Sequence, residues 1–225
     1  MVTGATGGFG TTICKSYARY GATVILLGKN IRLLEQLYDE IETSGGPTPA
    51  IYPMNLEGAT ERDYFELSEN IGKEFKRLDG LVHCAALLGA PSPFEHSDTE
   101  TWYKVLQVNL NAPYLLSKFC LPLLKKSDHA SMIFLTDEKP GAYWDAYNVS
   151  KQAINGLMQN LAAEYHGRQL FINSVKPDPT KTQLQIRAFP ALDKNKSLPT
   201  PEIYQSLFLY LMSNENQKSG VCYQI

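Results

Sequence analysis

The sequence has no paired cysteines, no long apolar run and no strong charge of either sign. Its four cysteines, Cys14, Cys84, Cys120 and Cys222, are widely scattered without a C-x-x-C pair, so neither disulfides nor structural zinc is expected. No apolar run is long enough to span a membrane, and no basic segment followed by an apolar stretch opens the chain, so we expect no membrane association and no signal peptide. The net charge of −2 gives no reason to expect nucleic acid as a partner. Together these absences favour a cytoplasmic protein.

The chain has the ordinary composition of one globular domain. It has 225 residues, of which 44% are hydrophobic and 20% charged, enough to bury one substantial core. Histidine is scarce, and its four copies show no metal-ligand spacing, so no metal is expected. We therefore predict a single domain over residues 1–225.

Short apolar runs alternate with longer amphipathic stretches along the chain. The pattern predicts strands at residues 24–27, 50–54, 80–84, 132–136, 171–175 and 221–225, and helices at 10–20, 31–42, 61–76, 100–124, 147–165 and 201–212. Continuous apolar runs are typical of parallel strands that are covered on both faces. The alternation predicts an α/β fold, a doubly wound parallel sheet of the Rossmann type.

A glycine-rich loop at residues 3–10 follows the first residues of the chain directly. Gly4, Gly8 and Gly10 allow a tight turn and the approach of a pyrophosphate, and the helix that follows offers free N–H groups. A buried strand should precede such a loop, and strands usually run about 5–6 residues. The first strand is therefore either very short or begins upstream of residue 1, and we favour the second alternative.

Tyr147 and Lys151 stand four residues apart in a predicted helix, which puts both side chains on one face. A lysine ammonium beside a phenol favours the phenolate and lowers the pKa of the tyrosine. Such a phenol can protonate a carbonyl oxygen as hydride reaches the carbon. The pair predicts a nicotinamide-dependent reductase, although the same spacing also occurs in many solvated helices.

The ends of the second and third predicted strands carry candidate contacts for the adenosine half of a dinucleotide. Lys29 and Asn30 follow the second strand, where a basic residue suits the 2′-phosphate of NADP and an acidic one the hydroxyl of NAD. Asn55 and Leu56 follow the third strand, and the asparagine amide is either an adenine contact or a turn residue. The lysine favours NADP, with NAD as the alternative.

Taken together, these features resemble the short-chain dehydrogenase/reductase family. The matching segments are residues 3–10, Asn55-Leu56, Val108-Asn109 and the Tyr147/Lys151 pair, in the order of the family and at roughly its spacing. Local stretches at residues 17–28, 77–80 and 107–109 are most similar to YciK-type bacterial oxidoreductases, which are often described as oxoacyl-(acyl carrier protein) reductases. The resemblance covers essentially the whole chain.

The resemblance implies a role for each matching residue. Tyr147 would be the general acid/base, Lys151 the contact to the nicotinamide ribose and Asn109 the holder of a water in a proton relay. The implied substrate is a small carbonyl compound, of 3-oxoacyl type in the nearest group, and the implied assembly is a homodimer or homotetramer through helices 100–124 and 147–165. The implied cofactor site consists of Gly4, Thr6, Gly8, Phe9, Gly10, Lys29, Asn30, Asn55, Leu56, Ala85, Ala86, Tyr147, Lys151, Pro177, Thr180 and Thr182.

The chain departs from the family pattern at the catalytic serine, where it has Asp137. An ionised aspartate can only accept hydrogen bonds, so it cannot donate to a substrate carbonyl, and its charge would raise the pKa of Tyr147. Thr136 could replace the serine only at an irregular strand end. Cys84, Ala86 and Asp178 also differ from the family, and Asp178 stands where the family has a glycine.

Two functional hypotheses follow from this comparison. The first is an NADP-preferring oxidoreductase, and the second is a reductase fold that binds dinucleotide with little turnover, as a sensor or assembly partner. Residues 177–201 are polar and rich in proline, and they form either a substrate lid or a surface loop. Tyr143 and Trp144 either line a substrate pocket or pack beneath a loop.

Overall fold

The computed structural model describes residues 1–139, 141–191 and 197–224. Within these residues one parallel sheet contains the strands β1 Val2–Thr3, β2 Ile25–Gly28, β3 Ala50–Pro53, β4 Gly80–His83, β5 Ala130–Leu135, β6 Leu170–Lys176 and β7 Cys222–Gln224. Their order is β3-β2-β1-β4-β5-β6-β7, so the chain winds outward from β1 in both directions. This order confirms the predicted doubly wound sheet. Residue 225, at the end of the last predicted strand, lies outside the described residues.

The described helices follow the predicted alternation, with two differences. Their bounds are α1 Gly8–Arg19, α2 Ile31–Thr43, α3 Glu61–Phe75, α4 Thr99–Leu106, α5 Ala112–Leu124, α6 Asp145–Glu164, α7 Gln183–Ala188 and α8 Gln205–Met212. Residues 177–201, expected to be a lid or a loop, contain α7, which was not predicted. Residues 192–196 of that segment lie outside the described residues.

The helix predicted over 100–124 is divided by a π-helical turn at Gln107–Asn111. The sequence explains this turn by a proline. Pro113 stands in the first turn of α5, and it has no N–H to donate to the carbonyl of Asn109 in α-helical register. Such turns often mark functional positions. The turn here contains Asn109, one of the predicted site residues.

Side chains of the central strands alternate between two apolar layers, as they must in a sheet. On β5, Met132 and Phe134 pack into the layer beneath α3, α5 and α6, whereas Ile133 and Leu135 pack into the layer formed with α1, α2 and α8. Both layers consist of buried residues. The helices therefore cover the two faces, and the carboxyl edge of the sheet stays accessible.

The carboxyl ends of β1 and β4 meet where the strand order changes direction, which is where α/β sheets bind ligands. The Thr3 hydroxyl accepts hydrogen bonds of 3.1 and 3.2 Å from the backbone N–H groups of Cys84 and Ala85. This link holds the two strand ends together, although Cys84 replaces the amide that the family has there. Among the described residues, no helix has both the length and the apolar character needed to cross a membrane.

Candidate active site

A cleft of about 430 Å³ lies at the carboxyl edge of the sheet. Loops after β1, β2, β3, β4, β5 and β6 line it, together with α6 and α7. It brings together the predicted site residues Gly4, Thr6, Gly8, Phe9, Gly10, Lys29, Asn55, Leu56, Ala85, Ala86, Asp137, Tyr147, Lys151, Pro177, Thr180 and Thr182. Residues more than 170 positions apart in sequence thus share one concave surface, the usual form of a small-molecule site.

The glycine loop between β1 and α1 depends on the absence of side chains. Gly4 has φ of +61°, and a Cβ there would lie 2.8 Å from the Cα of Ala85. A Cβ on Gly10 would lie only 2.1 Å from the carbonyl oxygen of Gly4. Larger residues would therefore break the turn or force it away from β4. The open side of this turn faces the cleft.

At one end of the cleft, Lys29 forms an ion pair of 2.7 Å with Glu57. Asn55 holds this turn because its side-chain oxygen accepts a hydrogen bond from the N–H of Glu57. Glu57 also lines the cleft, but sequence reasoning missed it, since a single glutamate in a turn has no distinctive pattern. Asn30, also predicted for the site, does not line the cleft; its side chain caps α2 by accepting a hydrogen bond from the N–H of Leu33.

Tyr147 and Lys151 lie on one face of α6, as their spacing predicts, and both are buried. The Lys151 ammonium donates to the carbonyl oxygen of Leu135, at the end of β5, over 3.0 Å. Burial lowers the pKa of Lys151 to about 8. Thr136 cannot replace the missing serine, because its buried hydroxyl donates to the backbone carbonyl of Lys151.

The hydroxyl of Tyr147 donates a hydrogen bond of 2.9 Å to Oδ2 of Asp137. Asp137 therefore stands in hydrogen-bond reach of the phenol, where the sequence comparison had aligned it with the serine. The pKa of Tyr147 is raised above its ordinary value, first by burial and then by the charge and hydrogen bond of Asp137. The expectation that Lys151 lowers the pKa of this phenol toward neutrality is wrong here, because burial and the Asp137 carboxylate raise that pKa.

Lys139 contacts the same Asp137 oxygen as the Tyr147 hydroxyl. Its ammonium lies 3.0 Å from Oδ2 of Asp137, and the two side chains are only 14% and 19% exposed. The other oxygen, Oδ1, accepts from the N–H of Glu138. Lys139 lines the cleft, yet sequence reasoning missed it, because the shortened loop after β5 has no family template.

Asn109 lies behind the cleft and is almost completely buried. Its side-chain oxygen accepts from the N–H of Leu87, and its amide donates to the Leu87 carbonyl and to the Ser150 hydroxyl, over 2.7, 2.9 and 3.0 Å. The side chain thus fastens the loop after β4 to α6. Asn109 itself does not line the cleft, so its role in a proton relay stays a prediction.

The segment after β6 forms the opposite wall of the cleft. The N–H of Asp178 donates to the Tyr204 hydroxyl, and the Thr180 hydroxyl donates to the Asp178 carbonyl. Asp178, a described residue, does not have a positive φ. The backbone therefore accommodates an aspartate at this position, where the family has a glycine, without strain. Thr182 caps α7 and faces Gly8, whose added Cβ would lie 2.8 Å from Thr182 Cγ2.

The loop between β5 and α6 is tightly bent. Gly141 and Tyr143 in this loop and Asp145, the first residue of α6, have positive φ, of 112°, 77° and 41°, and for the last two residues this conformation is strained. Trp144 packs against the ring of Phe189 at 5.4 Å, and Tyr143 is exposed. Neither lines the cleft, so packing is the role the structure gives Trp144.

A parallel sheet with a glycine turn at its switch point and a Tyr/Lys pair on the adjacent helix defines a dinucleotide-dependent dehydrogenase. The family model for short chain dehydrogenases matches residues 1–193, and the chain belongs to the short-chain dehydrogenase/reductase family. It is 39% identical to the uncharacterized oxidoreductase YciK of Escherichia coli strain K12, over 99% of this chain and 89% of that protein.

Solved structures show the same likeness. A short chain dehydrogenase from Shigella flexneri 2a, in complex with NADP, is 38% identical and superimposes with a TM-score of 0.94 over 99% of this chain and 95% of that one. One from Escherichia coli CFT073, in complex with NADPH, is 39% identical, with a TM-score of 0.94 and the same coverage. The fold and the family are thereby established together.

Proposed function

We propose that this protein transfers a hydride between NADP(H) and a carbonyl or alcohol substrate in the cleft described above. The observation that carries the proposal is the convergence of the glycine turn, Lys29 and the Tyr147/Lys151 pair on one cavity. Two structural relatives were solved with NADP or NADPH, which supports the cofactor assignment.

The residues of the cleft fit a dinucleotide phosphate. The turn at Gly4 and Gly10 has no room for a Cβ, so backbone N–H groups can approach a pyrophosphate closely. Lys29 lies at the end of β2, and it forms a surface ion pair with Glu57. Such a pair contributes little net free energy. A 2′-phosphate can therefore compete for Lys29, which favours NADP over NAD.

The bound nicotinamide supplies or accepts the hydride, and the side chains of this chain manage the proton. Tyr147 holds its proton firmly because its pKa is raised, and it is positioned to give that proton to a substrate oxygen. Lys151, anchored on the Leu135 carbonyl, places a cation beside the phenolate that remains. Asn109 keeps the loop after β4 against α6.

For the substrate we propose a 3-oxoacyl type of compound. The wall beside Tyr147 is apolar, formed by Leu87 and Leu88 with Val105 and Ala146 behind them, and Leu184 of the opposite wall packs against this cluster. An acyl chain can bury its surface there while its 3-oxo group faces the phenol. Residues 177–191, which form the other wall, are part of the segment we propose to act as the lid.

We further propose a homodimer or homotetramer in the cytoplasm. Tyr103 on α4, Tyr114 on α5 and Val149 on α6 are large exposed side chains on the helices expected at the interface, which supports this assembly. The cysteines are free thiols, as in a reducing compartment. Light scattering coupled to size exclusion would measure the mass in solution.

The test of the function is a steady-state assay with NADPH, NADH and a panel of ketones, aldehydes and 3-oxoacyl thioesters. We expect NADPH oxidation with at least one substrate and its loss in Tyr147→Phe, while NADPH binding, followed by fluorescence, is retained. Cofactor binding without turnover on the whole panel would instead support the binding-protein hypothesis. Absence of NADPH binding would contradict both.

A further inference from the structure

Two hydrogen-bond donors converge on one oxygen atom in the cleft. Oδ2 of Asp137 lies 2.9 Å from the Tyr147 hydroxyl and 3.0 Å from the Lys139 ammonium. A negatively charged oxygen between a phenol and a cation has the surroundings that a substrate oxygen needs as it becomes an alkoxide. The carboxylate thus marks the region in which a carbonyl oxygen would find both donors.

We propose that Lys139 donates to the substrate oxygen and thereby replaces the serine that this chain lacks. The inference rests on the proposed function, since it concerns the same reaction. An ammonium has three N–H donors, so Lys139 can keep its ion pair with Asp137 and still donate to a carbonyl. Asp137 cannot serve, because an ionised carboxylate has no hydrogen to give.

The position of Lys139 is fixed from two sides. Its backbone N–H donates to the side-chain oxygen of Asn148 over 3.1 Å, and Asn148 is the residue after Tyr147 on α6. Its ammonium lies 5.8 Å from the centre of the Phe189 ring, within reach of a cation–π contact. The helix that carries the acid therefore also anchors the second donor.

The proposed step transfers a hydride to the carbonyl carbon and a proton to the carbonyl oxygen. Reduced nicotinamide gives a hydride, with both electrons, to the carbonyl carbon as the C=O π bond breaks. The oxygen receives the proton of Tyr147, whose hydroxyl first leaves Asp137, and Lys139 stabilises the developing negative charge. The products are an alcohol, oxidised nicotinamide and a Tyr147 phenolate, which regains its proton from solvent.

A neighbouring ion pair provides a matched control. Lys176 lies 2.8 Å from Glu138, and neither residue lines the cleft. Lys139→Met should lower kcat roughly 10²- to 10³-fold, the usual effect of losing one preorganised donor, and Lys139→Arg should recover most of it. Lys176→Met should leave kcat unchanged. NADPH affinity and the melting temperature, measured on all three variants, show that each one is folded.

The decisive experiment combines Lys139→Met with Asp137→Ser, because the serine restores a neutral donor. In the Asp137→Ser protein, Lys139→Met should then lower kcat less than about tenfold. In the wild-type protein the same substitution should lower kcat by the roughly 10²- to 10³-fold given above. Equal losses in both backgrounds, or a Lys139→Met enzyme as active as Lys176→Met, would overturn the inference and leave the proposed function intact. Absence of wild-type turnover on every carbonyl would overturn both.

Discussion

The Tyr147 hydroxyl donates its only hydrogen to Oδ2 of Asp137 over 2.9 Å. The residue expected to protonate the substrate is therefore held by a carboxylate of its own chain. The same carboxylate raises the pKa of the phenol, which makes proton release harder. Through this hydrogen bond and through its charge, Asp137 is expected to slow the proposed reaction.

Asp137→Ser should raise kcat for carbonyl reduction by at least about tenfold, because a serine can donate where the carboxylate repels a developing alkoxide. Steady-state kinetics with saturating NADPH would measure the change. Asp137→Ala separates the loss of the charge from the gain of a donor, since alanine removes the carboxylate and has no hydrogen-bond donor in its side chain. A rate that is unchanged or lower in Asp137→Ser would show either that Asp137 does not occupy the serine position or that the aspartate has its own role in the reaction.

Lys151 should determine the alkaline limit of activity. Burial brings its pKa to about 8, so the ammonium loses its proton as the pH rises through that value, whereas Tyr147, with its raised pKa, keeps its own. We expect kcat/KM for NADPH, which reports the free enzyme, to fall above about pH 8.

Two variants test the assignment of this limit. The negative charge of Asp137 raises the pKa of Lys151, and the positive charge of Lys139 lowers it. Asp137→Asn should therefore move the alkaline limit to lower pH, and Lys139→Met should move it to higher pH. A limit that stays in place in both variants would assign it to another group.

Residues that belong to a sequence pattern could be predicted from the sequence, whereas residues whose role depends on tertiary contacts could not. The strand and helix alternation placed the sheet, because hydrophobic periodicity reflects burial directly. The glycine turn was equally visible, since Gly4 and Gly10 stand where no Cβ fits. The identity of Asp137 was readable, and so was its conflict with Tyr147.

Contacts made by residues without a motif were not predictable. Lys139 and Glu57 are charged residues in turns, and only the fold brings them to Asp137 and Lys29. The pKa of Tyr147 was misjudged from its spacing to Lys151, because the degree of burial of a ring is a property of packing. Asn30 was assigned to the cofactor from its position, and its role as a helix cap emerged only from its hydrogen bond to Leu33.

Lys29 should determine the preference for NADPH over NADH. Its ion pair with Glu57 is mostly exposed on the lysine side and so contributes little free energy. Lys29→Met should weaken NADPH binding about tenfold, or ~1.4 kcal/mol, and leave NADH binding unchanged. Glu57→Gln should strengthen NADPH binding, because it frees the lysine and removes a negative charge. Equal effects on both cofactors, in fluorescence titrations, would contradict a 2′-phosphate contact.

Asn109 should contribute more to stability than any exposed neighbour in the same π-helical turn. Asn109→Ala leaves the N–H and carbonyl of Leu87 without their side-chain partners, and a buried group left unpaired costs about 1–3 kcal/mol. Asn111 is the matched control, because it is exposed and its amide bonds only to the Gln107 side chain among its described contacts, and Asn111→Ala should change stability by no more than about 0.5 kcal/mol. Urea unfolding of the two variants would measure the difference. Equal stabilities would mean that the loop after β4 is held by other contacts.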